Sequence, residues 1–359
     1  FSCTFSVQTG IGSMGIVFFG TPAQKEKYLP KLMTGEWVSA YALTEPTAGS
    51  DALAGKTTAV LSEDGKYYIM NGDKSFISNG SWADVFTVLV QVDGNKFSGF
   101  IVDRDTEGFE VGAEEKKMGM KGSSTTPLKF TNAKVPVDNL LYKVGKGAAI
   151  AFNALNVGRY KLAAACIGGS KIGIEHAVKY ALERRQFGQP IAYFDAIKGK
   201  IADMTVRVYA ADSMLYRTVG LIQSAIDALD KSDPEYYKKM AEATERFAIE
   251  ASMAKVFGSE SSNLIVDHAL QIHGGNGFTE EYPLARAYRD DRINRIWEGT
   301  NEINRMIVTG YMMKKVLMEE ISLRDYLKGV DDFLATESPD IEEDLFQSEK
   351  FALESAKRL

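Results

Sequence analysis

The stretch "KTTAVLSEDGKYYIMNG", residues 56–72, decides how the middle of this 359-residue chain folds. β-branched and aromatic residues flank Asp64-Gly65, a turn pair whose glycine accepts a positive φ, and Asn71-Gly72 supplies a second turn. The pattern recurs around Asp93-Gly94 in "DVFTVLVQVDGNKFSGFIVD", residues 84–103. Short strands with glycine turns and no helical run between them predict an antiparallel β-sheet or small barrel.

Outward from this block the texture is helical on both sides. Upstream, "TPAQKEKYLPKLMTG", residues 21–35, places Thr21 as a cap, Pro22 at the first helical position and Gly35 as a stop. Downstream of "VPVDNLLYKVGKG", apolar residues return at helical spacing: Ile174, Ala177, Val178, Ala181 and Leu182, then Ile197, Ile201, Met204, Val208, Ala211 and Leu215. A third helix is expected from near Pro234 to His273 and a fourth from about Glu302 to Glu319, together a four-helix bundle. The predicted class is therefore a multidomain α+β protein. Residues 1–37 end a helical domain, 38–142 form the β domain, 143–318 the helical bundle, and 319–359 begin an acidic helical extension.

Composition narrows the function. A net charge of -6 gives no reason to expect nucleic acid. Cys3 and Cys166 are the two cysteines, so a disulfide framework is not expected and a reducing compartment is favoured. His176, His268 and His273 show neither HxxxH nor HxH spacing, and no metal site is expected. No apolar run reaches the ~18 residues that span a bilayer. The chain opens at Phe1 without a methionine or leader features, which reads as sequence missing upstream.

Four segments could carry chemistry. In "YALTEPTAGSDA", residues 41–52, small residues let a ligand approach the backbone, and Thr44 and Ser50 offer hydroxyls; a plain turn-rich loop has the same make-up. It is not a GxGxxG fingerprint and no βαβ unit surrounds it, which disfavours a nicotinamide-binding fold. "NGDKSFISNG", residues 71–80, could press an aromatic face against a flat ligand, or be a hairpin. In "ALERRQFGQPI", residues 181–191, Arg184 and Arg185 offset the negative end of a helix dipole, or bind phosphate. The fourth segment runs from "QIHGGNGFTEEYP", residues 271–283, through Arg286, Arg289, Arg292 and Arg295, which read as a salt-bridged face, to "RIWEGTNEI", residues 295–303. There Glu298 follows two apolar residues and precedes Gly299, with Thr300 or Asn301 able to cap a helix. A carboxylate in apolar surroundings has its pKa raised and suits a general base, while acidic residues also favour helix starts for electrostatic reasons alone.

Taken in order, these segments resemble the acyl-CoA dehydrogenase family over residues 1 to about 315, and the tail makes the chain closest in character to the very-long-chain members. The resemblance implies FAD as cofactor and the first step of fatty-acid β-oxidation: dehydrogenation of an acyl-CoA thioester to a trans-2-enoyl-CoA. It implies Glu298 as the catalytic base and Tyr41, Leu43, Thr44, Ser50, Phe76, Ile77 and Ser78 beside the flavin. Arg184, Gln186, Gln271 and Gly275 match positions that hold the FAD of a neighbouring subunit, and Thr300 and Glu302 match contacts to the dinucleotide. For substrate it implies Ser50, Asn156 and Arg159, the last two in "LNVGRY", with the hinge at Gly299. An electron-transferring flavoprotein as acceptor and a homodimer or homotetramer come with it, in the cytoplasm if bacterial or the mitochondrial matrix if eukaryotic. Phe76 stands where the family usually has tryptophan, most of the upstream helical domain is absent, and Gly158 occupies the place where isovaleryl-type members carry their base. An oxygen-using acyl-CoA oxidase and a catalytically silent scaffold member remain open alternatives.

Overall fold

The structure, a computed structural model, describes residues 2–335 and contains two compact units, Phe1–Val308 and Thr309–Leu359. The first begins with helices α1 (Ser2–Gln8), α2 (Ile11–Phe19) and α3 (Pro22–Thr34). α3 starts as its sequence dictates: the Gln24 backbone N–H donates to Thr21 Oγ1 at 3.2 Å, the Thr21 N–H donates back to Gln24 Oε1 at 3.0 Å, and Pro22 follows the cap. Gly35 ends the helix at φ +76°, where a side chain would be strained.

Eight strands follow: β1 (Ser39–Ala42), β2 (Thr58–Leu61), β3 (Tyr67–Ser78), β4 (Val85–Val92), β5 (Lys96–Asp103), β6 (Phe109–Val111), β7 (Thr125–Pro136) and β8 (Leu140–Leu141). They form one sheet in the order β6-β7-β3-β2-β4-β5-β8, with β1 paired to β4. Both expected turns are made, Gly65 and Gly94 taking φ +69° and +82°. Two expectations need correcting. The sheet is not a closed barrel among the described residues, and it is not purely antiparallel, because β1 and β2 both run parallel to β4. The two short strands share one edge of β4 end to end, β1 against Val85–Val88 and β2 against Gln91 and Val92.

The sheet is bent so that inward residues of β3 and β7, such as Met70 and Val135, meet those of β4 and β5, such as Phe86 and Phe100, in one core. β4 is buried on both faces, which is why apolar residues fill both sides of it rather than alternating, with Thr87 and Gln91 the exceptions. Its other face meets α2: the Thr87 hydroxyl donates to Gly12 O at 3.2 Å, and Val85 packs with Ile16 and Ile150.

The helical region comprises α4 (Gly147–Glu183), α5 (Asp195–Asp227), α6 (Tyr236–Glu245), α7 (Ala248–His273), the short α8 (Gly275–Phe278), α9 (Pro283–Asp291) and α10 (Asn301–Leu317). A small hairpin of β9 (Arg185–Gln186) and β10 (Gln189–Pro190) joins α4 to α5. The third helix expected from Pro234 to His273 is two helices broken at Arg246–Phe247. The break lets α6 bury Ala241 with Phe18 and Val157 while α7 packs along α4 and α5, directions one straight helix could not serve. α4 and α7 approach closely, a Cβ added at Gly258 lying 3.4 Å from Ala163. Within the second unit, α11 (Leu323–Ala335) lies in the expected extension, whose remainder is outside the described residues. No described helix is long and apolar enough to cross a membrane.

One buried ion pair ties the sheet to the loop after β1. Lys74 Nζ lies 2.6 Å from Glu45 Oε1, both side chains almost fully buried, and also donates to the carbonyls of Leu43 and Leu89. Burial raises the Glu45 pKa, but Lys74, the Lys56 N–H and the Thr57 side chain outweigh it and hold it below its ordinary value. Lys74→Met strands that carboxylate and is expected to destabilise the fold by about 3–5 kcal/mol, measured as a lowered urea midpoint.

Candidate active site

The site is built from the turn between α9 and α10. Backbone bonds from Ile296 and Trp297 to Ile293 O close a single helical turn. Glu298 and Gly299 then take left-handed φ values of +57° and +80°, and Thr300 Oγ1 accepts the Ile303 N–H at 3.2 Å to begin α10. Thr300 is thus the cap, which frees Glu298 from that duty. A non-glycine residue at positive φ is uncommon and must be held in place. Asn304 Nδ2 holds it, donating to the carbonyls of Glu298, Gly299 and Thr300, and Lys255 Nζ donates to Gly299 O at 2.8 Å.

Glu298 is half-buried as a residue, but its Oε2 is fully buried and has no hydrogen-bond partner. The carboxyl lies over Gly158 of α4, where an added Cβ would collide with it. Burial raises its pKa from 4.5 to about 7, against the opposing pull of Arg159, Lys255 and Lys161. A carboxylate with that pKa and a free oxygen can take a proton from a weak carbon acid near neutral pH. Tyr41 stands close enough for Glu298 to act on its phenol, which burial pushes upward. Arg159, 3% exposed, donates from Nη1 to Asn156 Oδ1 at 2.6 Å. Of the residues expected on the substrate side, Arg159 acts on Glu298, Gly299 follows it in the turn, and Asn156 is held by Arg159.

The segments expected beside a flat ligand also meet. Tyr41 is buried on β1 and its hydroxyl approaches Ala151 O of α4 at 3.5 Å, while Leu43 packs with Ala151 and Ala154. Thr44 O accepts the Ser75 N–H at 2.9 Å, joining residues 41–50 to residues 71–80. Phe76 sits at a bulge in β3 with φ +59° and is 66% exposed, whereas Ile77 is buried and Ser78 half-buried. An aromatic ring held outward by a strained backbone is set to cover something. Ser50 is exposed on the same loop.

Arg184, Gln186, Gln271 and Gly275 lie elsewhere. All four are exposed, near the C-terminal ends of α4 and α7, where Asn276 Nδ2 donates to Tyr180 OH at 2.9 Å. Arg184 is 26 residues beyond Gly158 on α4, about 40 Å at the ~1.5 Å rise of an α-helix. Within one chain it does not reach Glu298. Thr300 and Glu302 line a cleft that also holds Glu260, Arg292 and Arg295. Arg292 and Arg295, read from sequence as a salt-bridged face, belong to this cleft, and sequence reasoning also passed over Lys255 and Asn304. The helix pattern marks Lys255 only as a lysine between apolar neighbours, a weak signal.

Domain models of the acyl-CoA dehydrogenase family match the chain in order: the N-terminal domain over residues 1–36, the middle domain over 40–133 and the C-terminal domain over 145–313. The chain belongs to the acyl-CoA dehydrogenase family. Among its relatives, a probable acyl-CoA dehydrogenase of Bacillus subtilis is 49% identical over 360 residues, covering 100% of this chain and 61% of that protein. The human mitochondrial very long-chain specific acyl-CoA dehydrogenase is 42% identical, over 85% of this chain and 45% of that one. An acyl-CoA dehydrogenase from Bacillus anthracis, solved as a complex with FAD, superposes with a TM-score of 0.95 at 47% identity, over 99% of this chain and 61% of its own. The chain thus spans under two thirds of the length of the two bacilli proteins.

Two outcomes test this site. Gly158→Ala meets the movable end of a side chain, so stability should change by about 1 kcal/mol or less while the carboxyl is pushed aside; proton abstraction, followed as exchange of a substrate α-hydrogen with deuterated solvent, should fall at least about tenfold. Glu298 holds its proton more tightly folded (about 7) than its ordinary value of 4.5. Its ionisation therefore weakens the fold as pH rises through that window, by about 1.4 kcal/mol per unit. Glu298→Gln should be more stable than wild type by about 3 kcal/mol at pH 8 and equal to it below about pH 4, measured by urea unfolding across that range.

Proposed function

We propose that this protein catalyses FAD-dependent α,β-dehydrogenation of fatty acyl-CoA thioesters to trans-2-enoyl-CoA, with Glu298 removing the α-proton. The observation that carries this reading is the buried, partnerless Glu298 oxygen above Gly158. A carbon acid as weak as a thioester α-C–H needs a base of near-neutral pKa, and the Glu298 carboxyl, pushed up to about 7 with Oε2 buried, suits that task.

The residues present fit a flavin. A strained, outward aromatic at Phe76 and the exposed glycine loop at Gly49, whose Cβ position meets nothing, offer a face and an edge for a flat ring. Tyr41, Leu43, Thr44, Ser50, Phe76, Ile77 and Ser78 would hold the ring side, and Thr300 and Glu302 the dinucleotide. Arg184, Gln186, Gln271 and Gly275 would reach the cofactor of a second copy, as their distance from Glu298 along α4 requires. When bound, FAD supplies the acceptor for the β-hydride. Developing negative charge on the thioester oxygen needs donors, and the backbone N–H of Glu298, in its left-handed turn, would be one of them. An electron-transferring flavoprotein is the acceptor this reading entails.

The test is direct. Flavin-loaded protein mixed without oxygen with acyl-CoA esters from butanoyl to palmitoyl should lose its visible flavin absorbance, faster as pH rises through about 7. Glu298→Gln should keep its flavin and bleach at least about a thousandfold more slowly. Bleaching of the Gln variant at the wild-type rate would remove Glu298 from the role, and rapid stoichiometric peroxide in air would identify oxygen as the acceptor.

A further inference from the structure

Lys255 is fully buried in the middle of α7. Its ammonium donates to Gly299 O at 2.8 Å and to Asn301 Oδ1 at 2.7 Å, both in the segment that follows the base. The Asn301 amide donates in turn to Ser259 Oγ and Glu260 Oε1, each at 3.1 Å, and Glu260 Oε2 accepts from Arg305 at 2.8 Å. Lys255, Ser259 and Glu260, within a turn and a half of α7, thus clip the turn onto that helix. A neutral donor would hold two oxygens with far less desolvation, so a charge here calls for a further reason. No carboxylate among the described residues lies within ion-pair distance of its nitrogen, and the acidic group that acts on it most strongly is Glu298, ahead of Glu302. From α4 it faces Arg159 and Cys166, and Glu298 itself also feels Arg159 and Lys161 of that helix.

Resting on the dehydrogenase reading above, we infer that Lys255 is a positioning residue for the base: it pins the left-handed Glu298–Gly299 turn through the Gly299 carbonyl and supplies the buried positive charge against which Glu298 ionises. Asn304 shares the first task without the second, since it holds the Gly299 carbonyl together with those of Glu298 and Thr300 and carries no charge. The two residues therefore separate geometry from electrostatics. Burial already lowers the Lys255 pKa from 10.5 to about 8, with Glu298 opposing, so the charge is present where the base works and is lost as pH rises above about 8.

The experiment compares Lys255→Met, Lys255→Gln and Asn304→Ala, each with and without Glu298→Gln, as flavin-loaded protein and in urea unfolding against pH. In anaerobic bleaching by acyl-CoA, both Lys255 variants should keep their flavin and a half-saturating acyl-CoA concentration within about twofold of wild type, while the limiting bleaching rate falls about a hundredfold and the acidic limb of its pH profile rises by about one pH unit. Asn304→Ala should lower the limiting rate without moving that limb. In unfolding, the pH at which the Glu298→Gln stability gain levels off should rise by the same unit when Lys255 is replaced. That readout does not depend on turnover, so it stands even if wild-type protein fails to bleach, an outcome that would sink the dehydrogenase reading alone. An unmoved limb and an unmoved plateau overturn the inference. So does failure of both Lys255 variants to fold where Glu298→Gln folds, which would make Lys255 a core residue only.

Discussion

A carboxylate with one oxygen buried and unpartnered is the constraint around which the rest of this structure is arranged. Ionising Glu298 in place is unfavourable, and the protein tolerates it because the surrounding groups are placed before the charge forms. α4 supplies a glycine, whose missing side chain leaves room for the carboxyl, α7 supplies a buried ammonium, and α10 supplies an amide that gathers three carbonyls of the turn. Left-handed backbone at two successive residues is what turns the carboxyl toward α4 rather than along the helix that follows.

The β domain serves the same site from the other side. Its loop after β1 would be free to move were it not tied down by the Lys74–Glu45 pair, which also reaches the carbonyls of Leu43 and Leu89. Burying that pair is unfavourable in itself, and what it gains is a fixed position for Tyr41 through Thr44 against α4. The Ser75 to Thr44 bond then sets the strained Phe76 beside them. Two buried lysines, one in each region, thus perform parallel tasks, each using charge to hold a carbonyl of an irregular segment, Leu43 O for Lys74 and Gly299 O for Lys255.

Much of the fold was legible in sequence, for reasons that are local. The Thr21-Pro22 cap, the Asp64-Gly65 and Asp93-Gly94 turns and the apolar stripes of α4 and α5 depend on neighbours a few residues away, so their residue types suffice. The break between α6 and α7 and the parallel placement of β1 and β2 along β4 did not show, because each depends on which distant surface an element packs against. Glu298 was legible as a candidate from its apolar neighbours and Gly299, yet those same neighbours allowed a mere helix start.

The sequence by itself determined the succession of helical, β and helical regions, the turn residues, and a short set of segments able to carry chemistry. Only the tertiary structure decided that Thr300 caps the helix while Glu298 does not, that Gly158 lies beneath the carboxyl, and that Lys255, 43 residues earlier in the chain, holds the turn. The physical reason is range: capping and turn preferences act over a few residues, whereas burial and the electrostatics that set a pKa come from whatever the fold brings within a few ångströms.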